Sequence, residues 1–82
     1  MIRAKFKVTE ITRHMGSKKE GDAWVPAEMQ TIKAVPVSGG SEENKRFWDA
    51  SPSGELRLGV INQAAWSAFE LGREYYLDFT EA

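Results

Sequence analysis

The 82-residue chain contains no cysteine. Disulfide staples, thiolate catalysis and cysteine-based zinc sites are thereby excluded, and a reducing compartment is the expected setting. His14 is the only histidine, so a four-ligand structural metal site has one imidazole and no thiolate to draw on. No apolar run approaches the ~20 residues of a membrane-spanning helix, and no signal peptide is expected, because the N-terminus lacks an apolar core. An excess of one charge is also missing. With 11 Lys+Arg, 12 Asp+Glu and a formal net charge of -1, the chain is neither a globally basic nucleic-acid binder nor a charged disordered tail. The length allows one domain, residues 1–82, with no second core.

What remains is a chain patterned for strands. Ile2, Ala4, Phe6 and Val8 alternate with Arg3, Lys5, Lys7 and Thr9, the period of a half-buried strand. The next apolar residue is Ile11, one place out of phase. A β-bulge at Thr9–Glu10 accounts for the slip and puts Ile11, Arg13 and Met15 on one face. Residues 16–27 read as a long polar loop or hairpin tip, punctuated by Gly16, Gly21 and Asp22. A second strand is expected over residues 28–37, with Ile32, Val35 and Val37 contributing to the core and Pro36 marking an edge or bulge.

After Gly39-Gly40, Ser41 is positioned to cap a short helix that carries Glu42 and Glu43 in its first turn and Phe47 and Trp48 on its apolar side. Leu56, Leu58 and Val60 form a third strand. Asn62 is an N-cap candidate for a helix of about two turns running to Leu71 and closed by Gly72. Tyr75, Leu77 and Phe79 alternate in a last strand. The order is β-β-α-β-α-β with antiparallel pairing, since the connections are too short for other crossovers. The expected fold is α+β and mainly β: a small open antiparallel barrel of OB-like or SH3-like kind, or a coiled sheet, with Trp48 and Trp66 plugging its ends.

No constellation for catalysis emerges. No serine sits in a nucleophile motif, and Asp49, Glu70, Glu74 and Asp78 are scattered over different elements. Glu10 and His14 lie four apart across the bulge, a spacing that defines no metal site. The Gly39-Gly40-Ser41 turn resembles an anion cradle, but Glu42 and Glu43 already answer the helix dipole and would repel phosphate. No catalytic residue, metal or cofactor is therefore expected.

Charge is unevenly spread: residues 1–33 carry a net +3 and residues 34–82 a net -4. Arg3, Lys5 and Lys7 form a basic stripe whose members stand about 6.6–6.8 Å apart on a strand. Cross-strand pairing with Glu74 and Asp78 is the plain structural reading of the stripe. An electrostatic contact surface is the functional one, with Trp24 as a loop anchor and Tyr76 as an aromatic contact on the last strand. Arg3, Lys5, Lys7, Trp24 and Tyr76 are accordingly the candidate binding residues.

The stretch Gly39-Gly40-Ser41-Glu42-Glu43-Asn44-Lys45-Arg46-Phe47-Trp48-Asp49-Ala50-Ser51-Pro52-Ser53-Gly54-Glu55-Leu56 resembles a pattern in small proteins of tailed bacteriophages and prophages. Asn62, Ala65, Phe69, Gly72 and the segment from Glu74 to Thr80 are similar to the end of the same proteins. Together these cover roughly the last 45 residues, whereas the loop at residues 16–27 is longer than its counterpart there. The resemblance implies a phage origin, and hence a setting in the host cytoplasm, but it carries over no activity, cofactor or catalytic residue. The expected function is a non-catalytic binding protein that meets a host or phage protein and is able to form a homo-oligomer, with no membrane involved. An oligomer that sequesters a nucleotide signal and a single-stranded nucleic-acid-binding barrel are the rival readings.

Overall fold

The computed structural model describes residues 2–82. The alternation at the N-terminus forms β1 (Ile2–Glu20), which turns back into β2 (Ala23–Pro36). The chain continues through α1 (Glu42–Trp48), β3 (Leu56–Val60), α2 (Gln63–Trp66) and β4 (Glu74–Phe79). The strands make one open antiparallel sheet in the order β3-β2-β1-β4.

The expected bulge is present. Val8 pairs with Ala34 and Glu10 with Lys33, leaving Thr9 without a partner in the ladder. The extra residue keeps Ile11 on the same face as Val8, and that face holds the core: Ala4, Phe6, Val8, Ile32 and Ala34, all buried. Trp48, Leu56, Val60, Trp66, Phe69, Tyr75 and Leu77 pack around them. Both helices lie on this side, with Trp48 edge-on to Phe6 at 6.1 Å between ring centroids.

Of the core residues expected from β2 only Ile32 is buried, joined by Ala34, because Val35 stands opposite Lys7 on the other face of the pleat and Val37 follows it beyond the strand's end. Two further expectations need correction. Residues 16–27 are not a long loop. β1 runs on to Glu20 and β2 begins at Ala23, so only Gly21 and Asp22 form the tip. Gly21 has a φ of 61°, which suits the first central position of a type II′ hairpin turn. Gly16 is a strand residue whose missing side chain leaves room for Met29: a Cβ there would come within 3.1 Å of the Met29 Sδ. A second strand glycine, Gly59, accommodates the other end of the same side chain, 3.0 Å from its Cε.

The second correction concerns the helix after Asn62. The Asn62 Oδ1 accepts from the Ala64 N–H as expected, but the α-helix stops at Trp66 instead of reaching Leu71. Beyond it the bonds tighten to three-residue spacing, Ala68 N–H to Ala65 C=O and Phe69 N–H to Trp66 C=O. The Tyr75 hydroxyl then donates to the Ala68 carbonyl and accepts from the Glu70 N–H, drawing both groups out of a helical pattern. Gly72 does not close a helix; its N–H donates to the Val8 carbonyl and docks the turn against β1.

Asn44 joins α1 to the sheet. Beyond Pro36 the β1–β2 ladder would continue as a mutual pair between Lys5 and Val37. Val37 N–H does donate to the Lys5 carbonyl (3.0 Å). The return bond is replaced by the Asn44 amide: Lys5 N–H donates to its Oδ1 (2.6 Å), and its Nδ2 donates to the Val37 carbonyl. Asn44 Nδ2 also donates to the Gly39 carbonyl, and Trp48 Nε1 donates to Asn44 Oδ1. The side chain is 0% exposed with all four bonds made. An unmade buried bond costs about 1–3 kcal/mol, so Asn44→Leu, which strips partners from Lys5, Val37, Gly39 and Trp48, is expected to destabilise the fold by about 3 kcal/mol or more. Urea unfolding followed by circular dichroism measures it, and a loss below about 1 kcal/mol would contradict the bridging role.

Candidate functional site

The pleat places Arg3, Lys5 and Lys7 on the face away from the helices, opposite Asp78, Tyr76 and Glu74 of β4 respectively. Arg3 makes a two-pronged bond to the Asp78 carboxylate, Nε to Oδ1 at 2.6 Å and Nη2 to Oδ2 at 3.0 Å. Lys5 Nζ stands 3.7 Å from Glu74 Oε1. The ring of Tyr76 takes the Arg3 guanidinium at 4.7 Å and the Lys5 ammonium at 5.2 Å from its centroid. The plain structural reading thus describes Arg3 and Lys5. Gly40 closes over Lys5, so near that a Cβ would lie 3.0 Å from its Nζ, and the lysine side chain is only 15% exposed. Lys7 is exposed and makes no salt bridge among the described residues.

Hydrogen bonding to Arg3, reinforced by its charge, holds the Asp78 carboxyl below its ordinary range, and the same bond raises Arg3. A groove of about 630 Å³ begins beside Arg3 and is lined by Ile2, Arg3, Glu43, Arg46 and Phe47. The Glu43 carboxylate is held low by its own backbone N–H, then by Ser41 and Arg46. A phosphate entering this groove would meet a fixed negative charge.

Trp24 lies elsewhere. It pairs with Lys19 near the hairpin tip, about 40 Å of strand from Lys7, and alternation along β2 puts it on the same helix-side face as Ile32 and Ala34. The five candidate residues therefore divide into Arg3, Lys5 and Tyr76 in mutual contact, Lys7 beside them, and Trp24 alone at the far end.

The ribbon that carries Trp24 is a site the sequence did not reveal as such. β4 pairs with β1 only up to Lys7, and β3 pairs with β2 only from Gln30 onward. From His14 to Glu20 and back from Ala23 to Met29, the two strands pair with each other and with no third strand, while Thr12 and Arg13 at the arm's base lie opposite Thr31 and Gln30, which β3 also pairs. The two-stranded part extends about 20 Å in a molecule 47 Å long. Its helix-side face carries Met15 and Trp24, 68% and 69% exposed, with Pro26 between them and the Arg13–Glu28 ion pair on the body side of Met15. On its other face His14 Nε2 hydrogen-bonds the Thr31 hydroxyl at 3.0 Å. Met15 had a signal in the sequence, its two-residue phase with Ile11 and Arg13. Its exposure had none, because that depends on where β4 and β3 stop.

Within the body, the helix-side face opens into an apolar cleft of about 300 Å³, lined by Phe6, Val8, Ile32, Leu56, Leu58 and Phe69 among others. No grouping of three or more metal-ligating side chains occurs among the described residues, and none of their helices is long and apolar enough to cross a membrane.

Set against family models, curated proteins and solved structures, the chain matches none of them.

The Arg3–Asp78 pair has a pH signature. Because the folded carboxyl titrates below its unfolded counterpart, the pair's contribution is complete above the unfolded range and is lost as pH falls through the folded value. Stability of the wild type is expected to decline over that acidic window, and Asp78→Asn to show a shallower decline. Urea midpoints measured across the window test this, and parallel slopes would refute it.

Proposed function

We propose that this chain is a phage- or prophage-encoded, non-catalytic binding protein of the host cytoplasm whose contact element is the β1–β2 arm. The carrying observation is the arm itself: a two-stranded ribbon free of the body on both sides, with a tryptophan and a methionine exposed on one face. A two-stranded hairpin alone is marginally stable in water, and tryptophan is among the residues enriched at binding hot spots. Pro26 brings no N–H to the outer edge of β2, and Lys18 and Lys19 charge the outer strand of β1, so the edges are blunted against strand addition. The face is what the arm offers.

A protein partner suits this surface better than a polyanion. Residues 12–29 carry three basic and three acidic side chains and are net neutral. Arg3 and Lys5, the strongest part of the basic stripe, are engaged by Asp78 and Glu74. The phage assignment rests on the resemblance carried by Gly39 to Leu56 and by the C-terminal strand.

Immobilised wild type incubated with lysate of infected host is expected to retain a discrete protein set. The Met15→Ser/Trp24→Ser double variant is expected to lose it with an unchanged circular dichroism spectrum and urea midpoint. Undiminished retention by the folded variant would overturn the assignment to the arm.

A further inference from the structure

As a single copy the chain is too extended for its mass. It exposes 5,920 Å², whereas a compact monomer of 9.2 kDa exposes about 4,900 Å². Its radius of gyration is 15.4 Å against about 12 Å for a globular chain of this length. The surplus of about 1,000 Å² is close to the ~800 Å² that one partner contributes to a standard interface. Among the described residues only five hydrophobic side chains are buried.

The surplus has a particular distribution. Met15 and Trp24 on the arm and the cleft in the body lie on the same face of the same sheet. The arm runs away from the body as paired strands, so Trp24 cannot reach the cleft of its own chain. We propose that a second copy completes the fold: in a two-fold dimer, the Met15–Trp24 face of each arm packs across the helix side of the other copy, and Trp24 enters its cleft. This deepens the reading of the arm as the contact element and rests on it.

Three features favour a second copy over another protein. Projection and recess are present together on one surface, so a single self-complementary interface fills both clefts and covers both arms. An apolar cavity of about 150 Å³ is enough for a benzene, so the cleft of about 300 Å³ has room for an indole. The arm is net neutral and the chain carries only -1, so two copies approach without charge repulsion, and the Arg13–Glu28 pair is already closed within each arm. The blunted arm edges direct contact to faces instead of to an extended sheet.

Sedimentation equilibrium of the full chain at micromolar concentration tests the proposal. The wild type is expected at twice 9.2 kDa; Trp24→Lys is expected to halve that mass, and Lys18→Glu, on the arm's other face, to leave it unchanged. A photo-crosslinker at position 24, in a mixture of isotopically heavy and light copies, keeps the test open if Trp24→Lys fails to fold. It is expected to join heavy to light peptides containing Leu56–Leu58 or Ala68–Phe69. A wild type at single-copy mass, a dimer indifferent to Trp24→Lys, or cross-links confined to one copy would each overturn the dimer. Arm-dependent capture from lysate by a single-copy protein would then leave the binding arm standing and remove only the second copy.

Discussion

Because β1 and β2 pair with each other from Phe6–Pro36 at the base to Glu20–Ala23 at the tip, with one register shift between Val8 and Glu10, every other element has to attach to that ribbon or leave it bare. The bulge at Thr9 governs the outcome. It falls just after the last β4 partner and shifts the phase of β1, so that Val8 and Ile11 both face the helices. Were Thr9 paired in a regular ladder, Ile11, Arg13 and Met15 would turn to the opposite face, since a slip of one residue reverses every later side chain of β1. The continuity between the core of the body and the apolar face of the arm depends on that one unpaired residue.

The body is held to the ribbon by few but well-satisfied contacts. Asn44 stands in for a missing backbone bond where β2 ends, and Trp48 and Phe47 then lie over Phe6 and Phe79. At the other side, Gly72 and Tyr75 tie the α2–β4 connection to Val8 and Ala68. These ties close a small core on one face and leave the outer face to paired charges around Tyr76. Arg3 and Lys5 are thus engaged within the chain while Met15 and Trp24 stay exposed, the combination on which the proposed adhesion through the arm rests.

The elements whose residues alternate cleanly were legible in the sequence. β1 as far as Met15, strands β3 and β4, the bulge, the Ser41 cap and the order of elements all follow from local spacing, and Ser41 Oγ does accept from the Asn44 N–H. The hairpin arm was not legible, because Ser17, Lys18, Lys19 and Glu20 lack apolar alternation and Gly16 carries the usual mark of a loop. Those residues are strand only because β2 supplies a partner in register. The shortened α2 was likewise hidden, since the hydroxyl that interrupts it belongs to Tyr75 on a later strand.

By itself, then, the sequence determined what periodicity and local capping can encode: a mainly β chain with two short helices, one phase slip and no thiol or imidazole cluster for chemistry. The tertiary structure decided which charges cancel, which aromatic rings are covered and how far the hairpin outruns its neighbours. Those outcomes depend on where strands distant in the chain begin and end beside each other, and no window of local sequence contains that information.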